Sequence, residues 1–253
     1  MAANSRKIEV RLAKTDDELR AAARLRYDVF VRELGGDGVG VDHQAQLETD
    51  RFDSYVDHLI AVDRGANDRV VGVYRLMRDD MLEGAGQFYS ESEYDLTVLR
   101  ASKRKLLELG RSCVHANYRN GTTMYYLWQG LAEYIERHKI EVLFGVASFH
   151  GTDPSVLAQP LSNLSSAYLA PVSLRATSRK YVDMNLVAAG DIDRARAMHE
   201  TPALIKAYLR LGGLVGDGAY IDHDFNTVDV CLVMDTQKLS VKHREIYAKG
   251  RRQ

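Results

Sequence analysis

Apolar and polar positions alternate near the start of the chain. Ile8, Val10 and Leu12 stand against Lys7, Glu9 and Arg11, the period-two pattern of a half-buried strand. Thr15-Asp16-Asp17-Glu18 has the form of a capping box and predicts a helix running to about Leu34, ended by Gly35-Gly36. Residues 35–56 are glycine-rich, then acidic, without a period, and predict a long loop. His58–Val62 and Val70–Met77 are apolar runs joined by a polar turn, the pattern of an antiparallel hairpin. Residues 78–105 are irregular and polar, with a short helix expected near 92–99.

The central stretch follows. Leu106–Val114 reads as a buried strand, 115–121 as a turn, and 122–138 as an amphipathic helix. Met124, Leu127, Trp128, Leu131 and Ile135, three and four apart, predict its buried stripe. Residues 141–149 are a near-continuous apolar strand. Strand, helix and strand with a short return predict that 106–114 and 141–149 lie side by side and parallel, in an α/β fold. Further on, Asp153-Pro154 predicts a helix start, with Pro160 interrupting it and Leu161, Leu164 and Tyr168 continuing on a second piece. Residues 200–211 read as helix and Val228–Met234 as strand, and the basic tail 249–253 reads as frayed. No repeat, low-complexity segment or linker breaks the pattern. The expectation is one domain over 1–253, with a C-terminal extension from about 150.

Composition narrows the class. A net charge of −1 over 253 residues argues against a nucleic-acid binder. Two cysteines, Cys113 and Cys231, sit in apolar runs and make no disulfide framework, which suits a reducing cytoplasm. The N-terminus has no signal-peptide core, and no apolar run approaches the roughly 18 residues of a spanning helix. Contact with a membrane, such as the inner face of a bacterial inner membrane, would be peripheral.

Several positions carry candidate chemistry. In the turn His115–Thr122, Asn120 and Gly121 suit left-handed dihedrals and Thr122 opens a helix, so successive N–H groups can converge on a phosphate. The same residues also make an ordinary strand-to-helix connection. Glu108 and Arg111 are charges within a central strand, three apart and thus expected on opposite faces, with Gly110 between them. They read either as a site or as a strand-end salt bridge. Arg26 shares an apolar line with Ala22 and Phe30 and calls for a carboxylate, with Asp50 and Asp53 as candidates, or else snorkels. Cys113 reads as a small core residue, and His58 and His150 as structural, with no metal-ligand spacing. Basic runs at Arg100–Lys105 and Arg175–Lys180 are solvated faces or docking sites for an acidic partner.

The string LELGRSCVHANYRNG, with RYDVFVRE upstream and VVGVYRLM, FYSESEYDL and FGVASF around it, resembles the ornithine–acyl-carrier-protein N-acyltransferases of the GNAT superfamily. A more distant resemblance is to acyl-homoserine lactone synthases. The resemblance implies a GNAT-like mixed sheet with flanking helices, and transfer of a 3-hydroxyacyl chain from acyl carrier protein to the α-amine of ornithine, without a further cofactor or metal. It matches Arg26, Phe30, Asp50, Asp53 and Arg75 to acceptor-binding positions, and Glu108 and Arg111 to catalytic ones. Val114, Arg119, Asn120, Gly121 and Thr122 would hold the donor's phosphopantetheine arm. The tryptophan the lactone synthases carry after their phenylalanine is absent, Leu34-Gly35-Gly36 standing there, which speaks against a lactone product. The alternatives are acylation of glutamine or another amino acid, a lactone synthase, an acyl-chain or membrane-binding module, or a protein acetyltransferase.

Overall fold

The structure, a computed structural model, describes residues 7–238; the basic tail lies outside them. The strands and helices alternate as follows: β1 (Ile8–Leu12), α1 (Asp16–Arg26), β2 (Val41–Asp42), β3 (Leu47–Glu48), β4 (Asp57–Asp63), β5 (Arg69–Arg78) and α2 (Leu82–Ala85). Then come β6 (Tyr94–Asp95), α3 (Thr97–Ala101), β7 (Leu106–Val114), α4 (Thr122–His138), β8 (Val142–His150) and α5 (Ala158–Tyr168). The chain finishes with β9 (Thr177–Ser178), α6 (Arg194–Glu200), α7 (Ala203–Arg210), β10 (Leu214–Val215), β11 (Tyr220–Asp222) and β12 (Thr227–Asp235). The fold is α/β, its strands pairing both parallel and antiparallel. The residues fall into two compact units, 7–85 with 109–139, and 86–108 with 140–238. Each unit is discontinuous in sequence, so no linker marks either.

In the first unit the strand order is β1-β4-β5-β7. The hairpin β4–β5 forms as its apolar runs predict, with a bulge at Ala61/Val62. Helix α1 begins where expected: the Thr15 hydroxyl caps it by accepting from the Glu18 N–H, while Glu18 accepts from the N–H of Lys14. The helix then widens into a π-helical turn over Tyr27–Glu33 and stops at Gly35, whose φ of 75° suits glycine. Ala22, Leu25 and Val29 bury against Ile60, Val62, Val70, Val73 and Cys113.

Helix α4 covers the expected 122–138, but its fully buried residues are Thr123, Leu127, Leu131 and Tyr134. The predicted stripe is rotated because two glycines let the helix approach closely. A Cβ on Gly72 would lie 2.9 Å from Leu127, and one on Gly130 would lie 2.6 Å from Val10. Met124, Trp128 and Ile135 are left half-buried.

In the second unit β7 starts beside β8, and β12 runs antiparallel to β8 over nine residue pairs. The expected parallel pairing of β7 with β8 is present but covers only Leu106–Glu108 against Val142–Phe144. Strands β10 and β11 both pair with β12. Pro160 sits in the first turn of α5, where a missing N–H is tolerated, so the helix runs through it; a 3-10 turn at Pro154–Leu157 precedes it.

Candidate active site

Three arginines and three carboxylates interlock inside the first unit. Arg26, the last residue of α1, pairs through Nε with Glu48 and through Nη1 with Asp53 at 2.6 Å. Arg75, on β5, pairs through Nη1 with Asp50 and with Asp53, the latter at 3.2 Å. Arg111, on β7, pairs with Glu48 at 3.1 Å and Asp50 at 3.3 Å. Each carboxylate therefore bridges two guanidinium groups. Local turns set the acids: the Asp53 carboxylate accepts from the Asp50 N–H and that of Asp50 from the Phe52 N–H, both at 2.9 Å.

The cluster is graded in depth. The side chains of Arg26, Glu48 and Arg75 are 1–3% exposed, whereas Arg111, Asp50 and Asp53 are 12%, 13% and 19% exposed. The outer three form its accessible edge. Burial alone would raise the carboxyl pKa values, but the guanidinium charges outweigh it. Asp53 is brought down to about 2, chiefly by Arg26, and Glu48 and Asp50 also lie below their ordinary values. All three are ionised at neutral pH. His58 stands beside them, its Nε2 3.0 Å from the Asp53 carbonyl oxygen. Burial pushes its imidazole below the ordinary value, so it is neutral at pH 7. Arg26 Nη2 and His58 Nδ1 are buried with no protein partner among the described residues.

The structure thus brings together five of the seven residues expected for acceptor binding and catalysis: Arg26, Asp50, Asp53, Arg75 and Arg111. Glu48 completes the set and was missed. Phe30 stays outside it, in the π-helical turn, packed half-buried on the apolar core under α1. The φ of 50° at Arg111 breaks the alternation of β7, so spacing from Glu108 does not set its direction. Gly110 faces the Arg75 guanidinium, with Nε 3.6 Å from where a Cβ would sit.

Glu108 belongs to the second unit and is buried. Its carboxylate accepts the N–H of Tyr89 at 2.9 Å and that of Ser90 at 2.6 Å. It therefore clamps the 3-10 turn Tyr89–Ser92.

The expected phosphate turn is also partly corrected. Gly121 is left-handed, with φ of 90°, but Asn120 is not. The Asn120 side-chain Oδ1 instead accepts the Thr122 N–H at 3.1 Å, occupying one donor of the helix start. Arg119 donates through Nε to the Val114 carbonyl at 2.8 Å and pairs with Glu33 at 2.6 Å. Cys113 is no nucleophile: burial pushes its thiol up to about 12.

A third group of charges was not anticipated. Carboxylate oxygens of Glu93, Asp222 and Asp229 lie within 4.8 Å of one another in the second unit. Burial pushes Asp229 up to about 6, so its carboxyl holds a proton more readily than an ordinary aspartate does.

Residues 25–129 match the family model described as an acetyltransferase (GNAT) domain. That stretch contains all three arginines and all three carboxylates of the cluster, and fold and match together define a GNAT-class acyltransferase. The full chain goes further than the class. It is 54% identical to the L-ornithine N(alpha)-acyltransferase of Rhodobacter capsulatus, over 98% of each chain. It is 40% identical to the protein of the same name from Brucella abortus, over 95% of this chain and 88% of that one. The chain belongs to the L-ornithine N(alpha)-acyltransferase family. Its fold is shared with FeeM, an N-acyl amino acid synthase from uncultured soil microbes, at a TM-score of 0.59 and 12% identity, covering 95% of this chain and 99% of that one. It is shared as well with MesI, a CoA-dependent acyl-homoserine lactone synthase, at 0.53 and 14% identity, covering 95% of each.

Proposed function

We propose that the protein transfers a 3-hydroxyacyl chain from acyl carrier protein to the α-amine of ornithine, giving the lyso form of an ornithine lipid. The end-to-end identity to a relative named L-ornithine N(alpha)-acyltransferase carries the transfer to the α-amine of ornithine. The cluster's chemistry supports it. An amino acid acceptor brings one carboxylate and, in ornithine, two ammonium groups. The Arg111 guanidinium suits the carboxylate, and Asp50 and Asp53 suit an ammonium. Arg26, Glu48 and Arg75 brace these groups from below, and Phe30 packs the helix that carries Arg26.

The reaction needs a free amine. One ammonium proton leaves, the nitrogen lone pair attacks the thioester carbonyl carbon, a C–N bond forms, the C–S bond breaks, and the thiolate departs and takes up a proton. Glu108 is the proposed acceptor of the first proton, through a water, because both its oxygens already hold a backbone N–H. Val114, Arg119, Asn120, Gly121 and Thr122 are the proposed seat of the donor's phosphopantetheine, at the dipole-positive start of α4.

No helix of the described residues is long and apolar enough to cross a membrane, and a peripheral meeting with the lipid that takes up the product fits this proposal. The test is a purified assay with 3-hydroxyacyl carrier protein and a panel of amino acids. N-acyl ornithine as the main product is expected; acyl-glutamine, a lactone, or thioester binding without turnover overturns the reading. Glu108→Gln and Arg111→Ala, both folded by circular dichroism, should each cut kcat/KM by about tenfold or more. Wild-type rates in both would remove the site assignment.

A further inference from the structure

The two basic runs of the sequence lie 75 residues apart, and the second unit draws them onto one surface. Helix α3 packs on the 3-10 turn Val172–Leu174, and β6 pairs with β9, with Tyr94 opposite Ser178 and Asp95 opposite Thr177. Arg100 and Lys103, at the end of α3, are thereby set beside Arg175, Arg179 and Lys180. Arg100 and Arg179 share one residue: Arg100 pairs with the Glu91 carboxylate at 3.0 Å, and Arg179 Nε donates to the Glu91 carbonyl at 2.7 Å. The surface therefore carries Arg100, Lys103, Arg179 and Lys180, with Arg175 half-buried and donating through Nε to the Ala170 carbonyl at 2.8 Å, and with the carboxylates of Glu91, Asp95 and Asp217 beside them, in a chain whose net charge is −1. Within the same turn Val172 is 75% exposed, an apolar knob in a basic field. Arg104, from the same Arg100–Lys105 run, instead pairs with Asp235 at 2.7 Å.

This surface is joined to Glu108. The Glu91 carboxylate that holds Arg100 also accepts the Phe88 N–H at 2.9 Å, and the next two N–H groups, of Tyr89 and Ser90, hold Glu108. A macromolecule seated on the basic surface would thus sit against the turn that grips the proposed base. Of anionic partners, a protein bearing the thioester has reason to dock there, because its arm must reach the reacting carbon; a lipid surface has no such need.

We infer that Arg100, Lys103, Arg175, Arg179 and Lys180, around Val172, form the docking surface for an acidic acyl carrier protein. This rests on the proposed donor. Lys103 and Lys180 are exposed and hold no ion pair among the described contacts, so their reversal leaves the turn intact. The experiment compares wild type with the Lys103→Glu/Lys180→Glu variant on two donors, 3-hydroxyacyl carrier protein and the same acyl group on free pantetheine. The variant should raise KM for the carrier donor about tenfold or more at unchanged kcat, with the pantetheine donor unaffected. The wild-type kcat/KM for the carrier donor should fall with added salt, more steeply than in the variant. An unchanged carrier KM, or an equal loss on both donors, overturns the docking surface. So does a variant that loses binding to phosphatidylglycerol–phosphatidylcholine vesicles while keeping its carrier KM. A wild-type enzyme that does not turn over the carrier donor at all overturns the donor assignment itself, before the variant is compared.

Discussion

Two groups of buried charge solve the same problem in opposite ways. In the first unit, Glu48, Asp50 and Asp53 meet Arg26, Arg75 and Arg111, and each acid bridges two guanidinium groups. In the second unit, Glu93, Asp222 and Asp229 meet one another. Burial raises the pKa of a carboxyl in both places; the guanidinium groups reverse it at Asp53, whereas it prevails at Asp229. Asp53 falls to about 2, while Asp229 rises to about 6. A balanced cluster stays ionised and keeps an outer edge that can exchange a partner ion for a charged substrate. An unbalanced one reduces its repulsion by keeping a proton, here on Asp229. The proposed acceptor site is the first group and not the second for this reason.

The comparison breaks most sharply at Arg26. Its side chain is 1% exposed and faces two carboxylates. Arg26→Ala leaves Glu48 and Asp53 with less compensation and should cost about 3–5 kcal/mol in denaturant unfolding, with activity lost. The double variant Arg26→Met/Glu48→Met removes charge in balance and should recover most of that stability without recovering activity. A single variant as stable as wild type would show that the cluster does not depend on charge balance.

The pH dependence has opposite signs in the two groups. Asp53 is depressed, so its contribution is present above the unfolded value near 4 and is lost as pH falls through about 2. Asp229 is raised. Between about 4 and 6 the unfolded chain has released its proton and the folded chain has not, so stability declines as pH rises across that window and levels off above it. Asp229→Asn removes this decline. It should stabilise the protein at pH 7.5 by about 2 kcal/mol relative to wild type, and by much less at pH 4. Unfolding curves at the two pH values measure it; equal effects at both would mean that Asp229 does not hold a proton.

The sequence pattern foretold the main strands and α4 closely because their apolar residues face one core at a steady period. It foretold Arg26 and Arg111 because charges on the apolar line Ala22–Phe30 and within β7 conflict with that period, and Asp50 and Asp53 as carboxylates for Arg26; Arg75 came only from the family resemblance. Glu48 escaped because it lies in a stretch with no period, beside other acids, where one more carboxylate looks solvated. Charge counting was the available signal: three flagged arginines on buried elements call for three carboxylates, and only two had been assigned. The direction of Arg111 was beyond reach, since nothing in LGRSC announces a left-handed φ at a non-glycine residue. Asn120 misled for the opposite reason. Its type suits a left-handed turn, but its side chain serves equally well as a cap, and here it caps. The carboxyl trio could not be read at all, because its members are 129 and 136 residues apart and meet only through the tertiary fold.

A gentler change tests whether the trio acts as a unit. Asp222 is half-buried and holds the N–H of Asp224 at 2.8 Å and that of Phe225 at 3.1 Å, so it stays put when its charge is removed only if those two bonds survive. Asp222→Asn keeps an acceptor oxygen for them while deleting one negative charge beside Asp229. Burial, the larger cause of the Asp229 shift, is untouched. The Asp229 carboxyl should therefore move down by about half a unit, on the order of 0.7 kcal/mol, and no further. Carboxyl carbon chemical shifts followed against pH in wild type and variant report it directly. A return to the ordinary aspartate value would make mutual repulsion the main cause, with burial secondary.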